Sequence, residues 1–93
     1  MEYNWDPDKN KSNFLKHGVD FEEAETVFKD EYAIVIYDNV NSVDEDRFNI
    51  VGMSIRVREL LVCHCYRNGD EITRIISARR ATKNEIELYR KGM

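Results

Sequence analysis

The sequence predicts an α+β domain: two N-terminal helices, a four-stranded antiparallel sheet and a C-terminal helix. Three observations carry that prediction. Apolar residues recur at helical spacing as far as Lys29, β-branched and aromatic runs fill Tyr32 to Arg79, and a Thr82–Glu85 capping pattern opens a last helical segment. Ninety-three residues enclose one core, so residues 1–93 are read as a single domain.

Asp6-Pro7 reads as an N-cap followed by proline at the first helical position, and Gly18 is a left-handed stop after His17. Asp20 opens a second helix with Glu23 three residues on, and Phe21, Ala24, Val27 and Phe28 form its apolar stripe to about Lys29. Strands follow at Tyr32–Tyr37, Arg47–Ser54, Arg58–Tyr66 and Glu71–Arg79. Asn68-Gly69 between the last two is a strong hairpin signal. The last helix runs from Lys83 to about Lys91, with Ile86 and Tyr89 turned inward.

A hydrophobic content of 42% with 4 Gly and 1 Pro excludes a low-complexity or disordered chain. No stretch is long enough to span a membrane, and the acidic start lacks the pattern of a signal peptide, so a cytoplasmic protein without a membrane partner is expected. Two cysteines make no disulfide framework. Cys63-His64-Cys65 invites a zinc reading, but alternate residues of a strand face opposite ways, which favours core thiols and no metal. The net charge of −4 hides a split. Residues 1–66 hold seven Lys/Arg against fourteen Asp/Glu, whereas residues 67–93 hold seven against four. The basic end suits a polyanion and the acidic part a basic partner; an unevenly charged solvated surface is the plainer alternative.

If Asn68 and Gly69 form a two-residue turn, Val62 lies opposite Ile75, His64 opposite Thr73, and Arg58 opposite Arg79. One sheet face then carries Leu61, Cys63, Cys65, Ile72, Ile76 and Ala78 and takes the helices. The other carries Leu60, Val62 and Ile75 with Arg58, His64, Tyr66, Thr73, Ser77 and Arg79. Opposed arginines repel unless an anion joins them, and two guanidinium forks fit a phosphate. Each could instead pair with a carboxylate such as Glu59, Asp46 or Glu45, and a bulge would shift the register. His17, in the last turn of the first helix, suits either the helix dipole or proton transfer, imidazole being the side chain that titrates nearest neutrality.

A larger set of residues resembles a known family. The matches are Trp5-Asp6-Pro7-Asp8-Lys9-Asn10, Asn13, Lys16-His17-Gly18-Val19, Phe21-Glu22-Glu23-Ala24 with Val27-Phe28, Arg47-Phe48, Gly52-Met53-Ser54, Arg58, Leu60, Val62, and Arg74 to Arg79 with Ala81-Thr82-Lys83 and Glu85. They resemble the BrnT toxins of bacterial type II toxin–antitoxin systems over nearly the whole chain. One departure is Val57, where the family often has glycine before the matched arginine.

The resemblance implies a RelE-like ribonuclease fold, growth inhibition through RNA cleavage, and neutralisation by a BrnA-type antitoxin with a ribbon-helix-helix part, through which alone DNA would be met. RNA supplies its own 2′-hydroxyl nucleophile, so no metal or other cofactor is needed. The expected roles are His17 in proton transfer, Arg58 and Arg79 on the phosphoryl oxygens, and Arg80 and Lys83 on flanking phosphates, with a 2′,3′-cyclic phosphate and a 5′-hydroxyl as products. The alternative of a different class is a binding module without catalysis, acting as a corepressor for the antitoxin.

Overall fold

A computed structural model describes residues 2–93. Strand β1 (Glu2–Asn4) leads into α1 (Pro7–His17) and α2 (Phe21–Thr26), which tightens into a 3₁₀ turn at Val27–Lys29. Strands β2 (Ile34–Tyr37), β3 (Phe48–Met53), β4 (Glu59–Arg67) and β5 (Ile72–Arg80) follow, then α3 (Lys83–Lys91). The order across the sheet is β1-β5-β4-β3-β2. Strand β1 runs parallel to β5, and the other pairs are antiparallel. The sheet is therefore five-stranded and mixed, not four-stranded and antiparallel as expected. Three residues are too few to display an alternating pattern, so the strand character of Glu2–Asn4 comes from its partner Ile72–Arg74.

The helix boundaries follow local chemistry. Asp6 accepts the Asp8 N–H at 2.9 Å, Pro7 begins α1, and Gly18 ends it at φ 71° with its N–H on the Phe14 carbonyl. Asp20 caps α2 by accepting the Glu23 N–H at 2.8 Å. Glu23 does not complete a capping box: its carboxylate crosses to Ser54 and Arg58. The box expected at Thr82 and Glu85 is formed in both directions.

The turn between β4 and β5 spans four residues rather than two. Arg67 pairs with Ile72, and Asn68, Gly69 and Asp70 all take positive φ. A bulge then shifts the ladder between Cys63 and His64, leaving Ile76 as an extra residue on β5. Beyond it Val62 faces Ala78, Leu61 faces Arg79 and Leu60 faces Arg80. The expected pairs of Val62 with Ile75, His64 with Thr73 and Arg58 with Arg79 are not made.

The expected faces are also exchanged along β4 and along β5 before the bulge, whereas Ser77, Ala78 and Arg79 beyond it keep their expected sides. Helices α1 and α2 cover Leu60, Val62, Ile75 and Ala78, which form the main core with Val19, Phe21, Ala24, Val27 and Ile50. Full burial of a side chain such as Phe21 contributes roughly 1.5–3 kcal/mol. On the opposite face α3 packs at one end, with Tyr89 on Val51 and Leu61. Burial there raises the Tyr89 phenol to about 12, helped by its bond to Asp30 at 2.5 Å. Gly52 of β3 lets the α1–α2 side close, since a Cβ would lie 2.9 Å from that of Ala33 and 3.0 Å from Cγ1 of Val27.

Asn13 ties α1 to the edge of β5 past the end of β1. Its amide donates to the carbonyls of Val19 and Ala78, both at 2.8 Å, and its oxygen accepts the Ala78 N–H at 3.0 Å. No described helix is long and apolar enough to cross a membrane.

Candidate active site

At the end of the sheet where β4 begins and β5 finishes, α1 ends and α3 starts, and four of the five candidate residues sit at these element ends. The fifth, Arg58, stands one residue before β4. The ladder puts Arg58 on the α1–α2 side with Leu60 and Arg80, and Arg79 on the α3 side with Leu61. The bulge separates them: without its extra residue Arg79 would share a face with Arg58.

Arg58 is held by Glu23. Its Nε donates to Glu23 Oε2 at 2.9 Å, while Nη2 pairs with Glu23 Oε1 and reaches the Gly18 carbonyl at 3.1 Å. Ser54 donates its hydroxyl to the same carboxylate at 2.7 Å. Burial alone would raise the Glu23 carboxyl; hydrogen bonds from Arg58 and Ser54 outweigh it and keep the group below the usual carboxylate range. The guanidinium is pushed up in return. Of its five donors, the two on Nη1 have no protein partner among the described residues. The Nη2 contact with Gly18 puts this guanidinium at the C-terminal end of α1, where His17 is the residue before Gly18.

Val57, immediately before, has φ 61°, a left-handed conformation that costs a β-branched residue about 1–2 kcal/mol. Its neighbours define the bend: the Val57 N–H reaches the Ser54 carbonyl, and the Arg58 carbonyl accepts from Ser54 N–H, both at 2.9 Å.

Arg79 meets Glu85 bidentately at 2.8 and 2.9 Å, and Nη1 also reaches the Arg80 carbonyl. Glu85 is held low chiefly by that hydrogen bond. Its carboxylate also accepts the Thr82 N–H at 2.8 Å, so an acidic side chain already occupies the start of α3. Arg80 and Lys83 are exposed and carry no ion pair among the described residues, and His17 is half-buried at the end of α1.

On the α3 side, Arg79 also borders a hollow of about 490 Å³ with Arg47, Asn49, Ser77, Cys63 and Asp38. Arg47 Nε is buried there without a hydrogen-bond partner. Cys63 and Cys65 face this side, and burial pushes both thiols up. His64 faces the other way, against Phe28 and Phe48, so the three do not converge on a metal. His64 is fully buried, contrary to its expected place on an open face.

Three residues here escaped the sequence reading: Glu23 as the partner of Arg58, Asn13 as the α1 anchor, and Arg47 as the second cation beside Arg79. All three lie within the family motifs, and Glu23 carried a further signal as a glutamate inside an apolar helical stripe.

Comparison with known proteins adds two findings. A family model described as the ribonuclease toxin BrnT of type II toxin–antitoxin systems matches residues 5–85. A crystal structure of the ribonuclease toxin BrnT of Brucella abortus, determined at 1.1 Å, is similar with a TM-score of 0.67 and 26% identity, covering 89% of this chain and 99% of that one. No curated protein sequence matches the chain.

Proposed function

The chain belongs to the BrnT family of ribonuclease toxins of type II toxin–antitoxin systems, and we propose that it cuts RNA without a metal at the α1–β4–β5 corner. The observation that carries this reading is the state of Arg58. Glu23 and Gly18 fix three of its donors at the end of α1, whose last residue is His17, and Nη1 has no partner among the described residues. An arginine immobilised in this way can meet charge developing on a phosphoryl oxygen with no reorganisation at the moment of reaction.

His17 moves the proton, taking it from the 2′-hydroxyl or giving it to the departing 5′ oxygen. Arg80, on the face of Arg58, and Lys83 at the start of α3 hold flanking phosphates. Arg79 sits on the opposite face of the sheet from Arg58. It acts on the scissile phosphate only after leaving Glu85, and its resting position with Arg47 suits the next nucleotide. Products are a 2′,3′-cyclic phosphate and a 5′-hydroxyl. In the cytoplasm the activity arrests growth until a BrnA-type ribbon-helix-helix antitoxin neutralises it, and DNA is met only through that antitoxin.

The test is purified toxin, freed of antitoxin and kept in EDTA, acting on RNA with mapping of both ends. Cyclic-phosphate ends from the wild type and their loss in soluble His17→Ala and Arg58→Ala support the assignment. Activity that depends on added Mg²⁺, or full cleavage by both variants, overturns it. Binding of an antitoxin with no cleavage under any condition favours the corepressor module.

A further inference from the structure

We propose that the free edge of β2 is the seat of a basic, extended segment of the antitoxin, added to the sheet as a sixth strand. The inference rests on the family's antitoxin partner and is independent of the ribonuclease site. Strand β2 ends the sheet, with β3 on one side and no strand on the other among the described residues. The Asp38 N–H points inward to the Arg47 carbonyl, so the two-residue alternation turns the backbone groups of Val35 and Tyr37 outward. Val35 is 53% exposed and Tyr37 46%. A run of Ile-Val-Ile-Tyr left open at an edge is a template for strand addition, and none of the usual protections, a lysine or a proline, interrupts it.

Charge selects the occupant. Residues 30–46 hold six carboxylates and no lysine or arginine. Among the described residues, only Glu45 of these is in an ion pair, with Arg67. A second copy of this chain, docked edge to edge, would set the acidic stretch against itself, and RNA would be repelled. A lysine- or arginine-rich strand with alternate apolar residues satisfies both the open ladder and the field around it. The surface lies across the sheet from the β5 end, so the antitoxin would hold the toxin by a handle separate from the basic corner.

The probe is the cognate antitoxin in complex with the full toxin. Hydrogen exchange on the wild-type complex is expected to slow the Val35 and Tyr37 amides, with the inward-facing Ile36 amide little changed. Val35→Pro removes an outward donor and leaves the β3 ladder intact. It should weaken antitoxin binding at least about tenfold while RNA cleavage stays at the wild-type level. The double variant E31K/D44K, which leaves the ladder alone, should weaken binding by a similar order and flatten its salt dependence. Unchanged exchange at Val35 and Tyr37 in the complex overturns the proposal, as does wild-type affinity in E31K/D44K together with a folded Val35→Pro. Dimerisation of the isolated toxin that Val35→Pro abolishes would assign the edge to a second copy instead. Loss of cleavage in every protein tested would sink the ribonuclease corner and leave the exchange result standing.

Discussion

Arg58 Nε donates to Glu23 Oε2 at 2.9 Å, joining residues 35 positions apart, and Ser54 donates to the same oxygen. This pair links α2 to the bend that enters β4 and sets the orientation of the one guanidinium edge left open.

Arg58→Ala should lower RNA cleavage on the order of 10²-fold, the scale of losing one fixed donor to transition-state charge. It also strands the Glu23 carboxylate, whose side chain is only 2% exposed, so a stability loss of roughly 3 kcal/mol is expected. Single-turnover rates at a temperature where the variant is folded separate the two effects. Cleavage at the wild-type rate would remove Arg58 from the site.

Glu23→Gln keeps the charge on Arg58 and loosens its placement. The rate constant for cleavage should fall about tenfold while RNA affinity stays within a factor of a few. Equal losses in both would mean that Glu23 acts through general folding.

Asn13→Ala leaves Val19 and Ala78 with buried backbone groups and no partner. The expected cost is about 2–3 kcal/mol, or a melting temperature lower by roughly 10 °C or more for a domain of this size. Calorimetry reads it directly, and a shift of under a degree would contradict the anchor role.

Val57→Gly should raise stability by up to about 1 kcal/mol, because relief of the left-handed strain exceeds the entropy glycine adds to the unfolded chain. Urea unfolding measures it, with cleavage unchanged. Destabilisation would show that the bend is not strained.

Burial holds His64 below its ordinary value, the Val62 carbonyl opposing only in part. The unfolded chain therefore takes up a proton first as pH falls, so this stability is complete above about pH 6.5 and drains as pH drops toward the lower folded value. Thermal unfolding at pH 7.5 and 5.5 should show the loss, and His64→Phe should shrink it. An unaltered pH slope in the variant would place the titration elsewhere.

Local signals were legible in the residues themselves. Asp6-Pro7, Gly18, Asp20 and the Thr82–Glu85 box act within one helical turn, and they mark α1, the start of α2 and α3 where the chain forms them. The alternating apolar runs likewise place β2 to β5 within two residues of their observed bounds. The cations His17, Arg58, Arg79, Arg80 and Lys83 were identifiable as a set, because residue type and motif do not depend on register.

What only the tertiary structure decided is how those cations are grouped. A single extra residue at Ile76 moved Arg79 to the opposite face from Arg58, and side-chain period in a strand makes any such one-residue slip a change of face. The same holds for Glu23, Asn13 and β1, whose partners Arg58, Ala78 and Ile72–Arg74 lie 35 or more positions away. Contacts at that separation depend on how helices and sheet pack, and no local pattern encodes them.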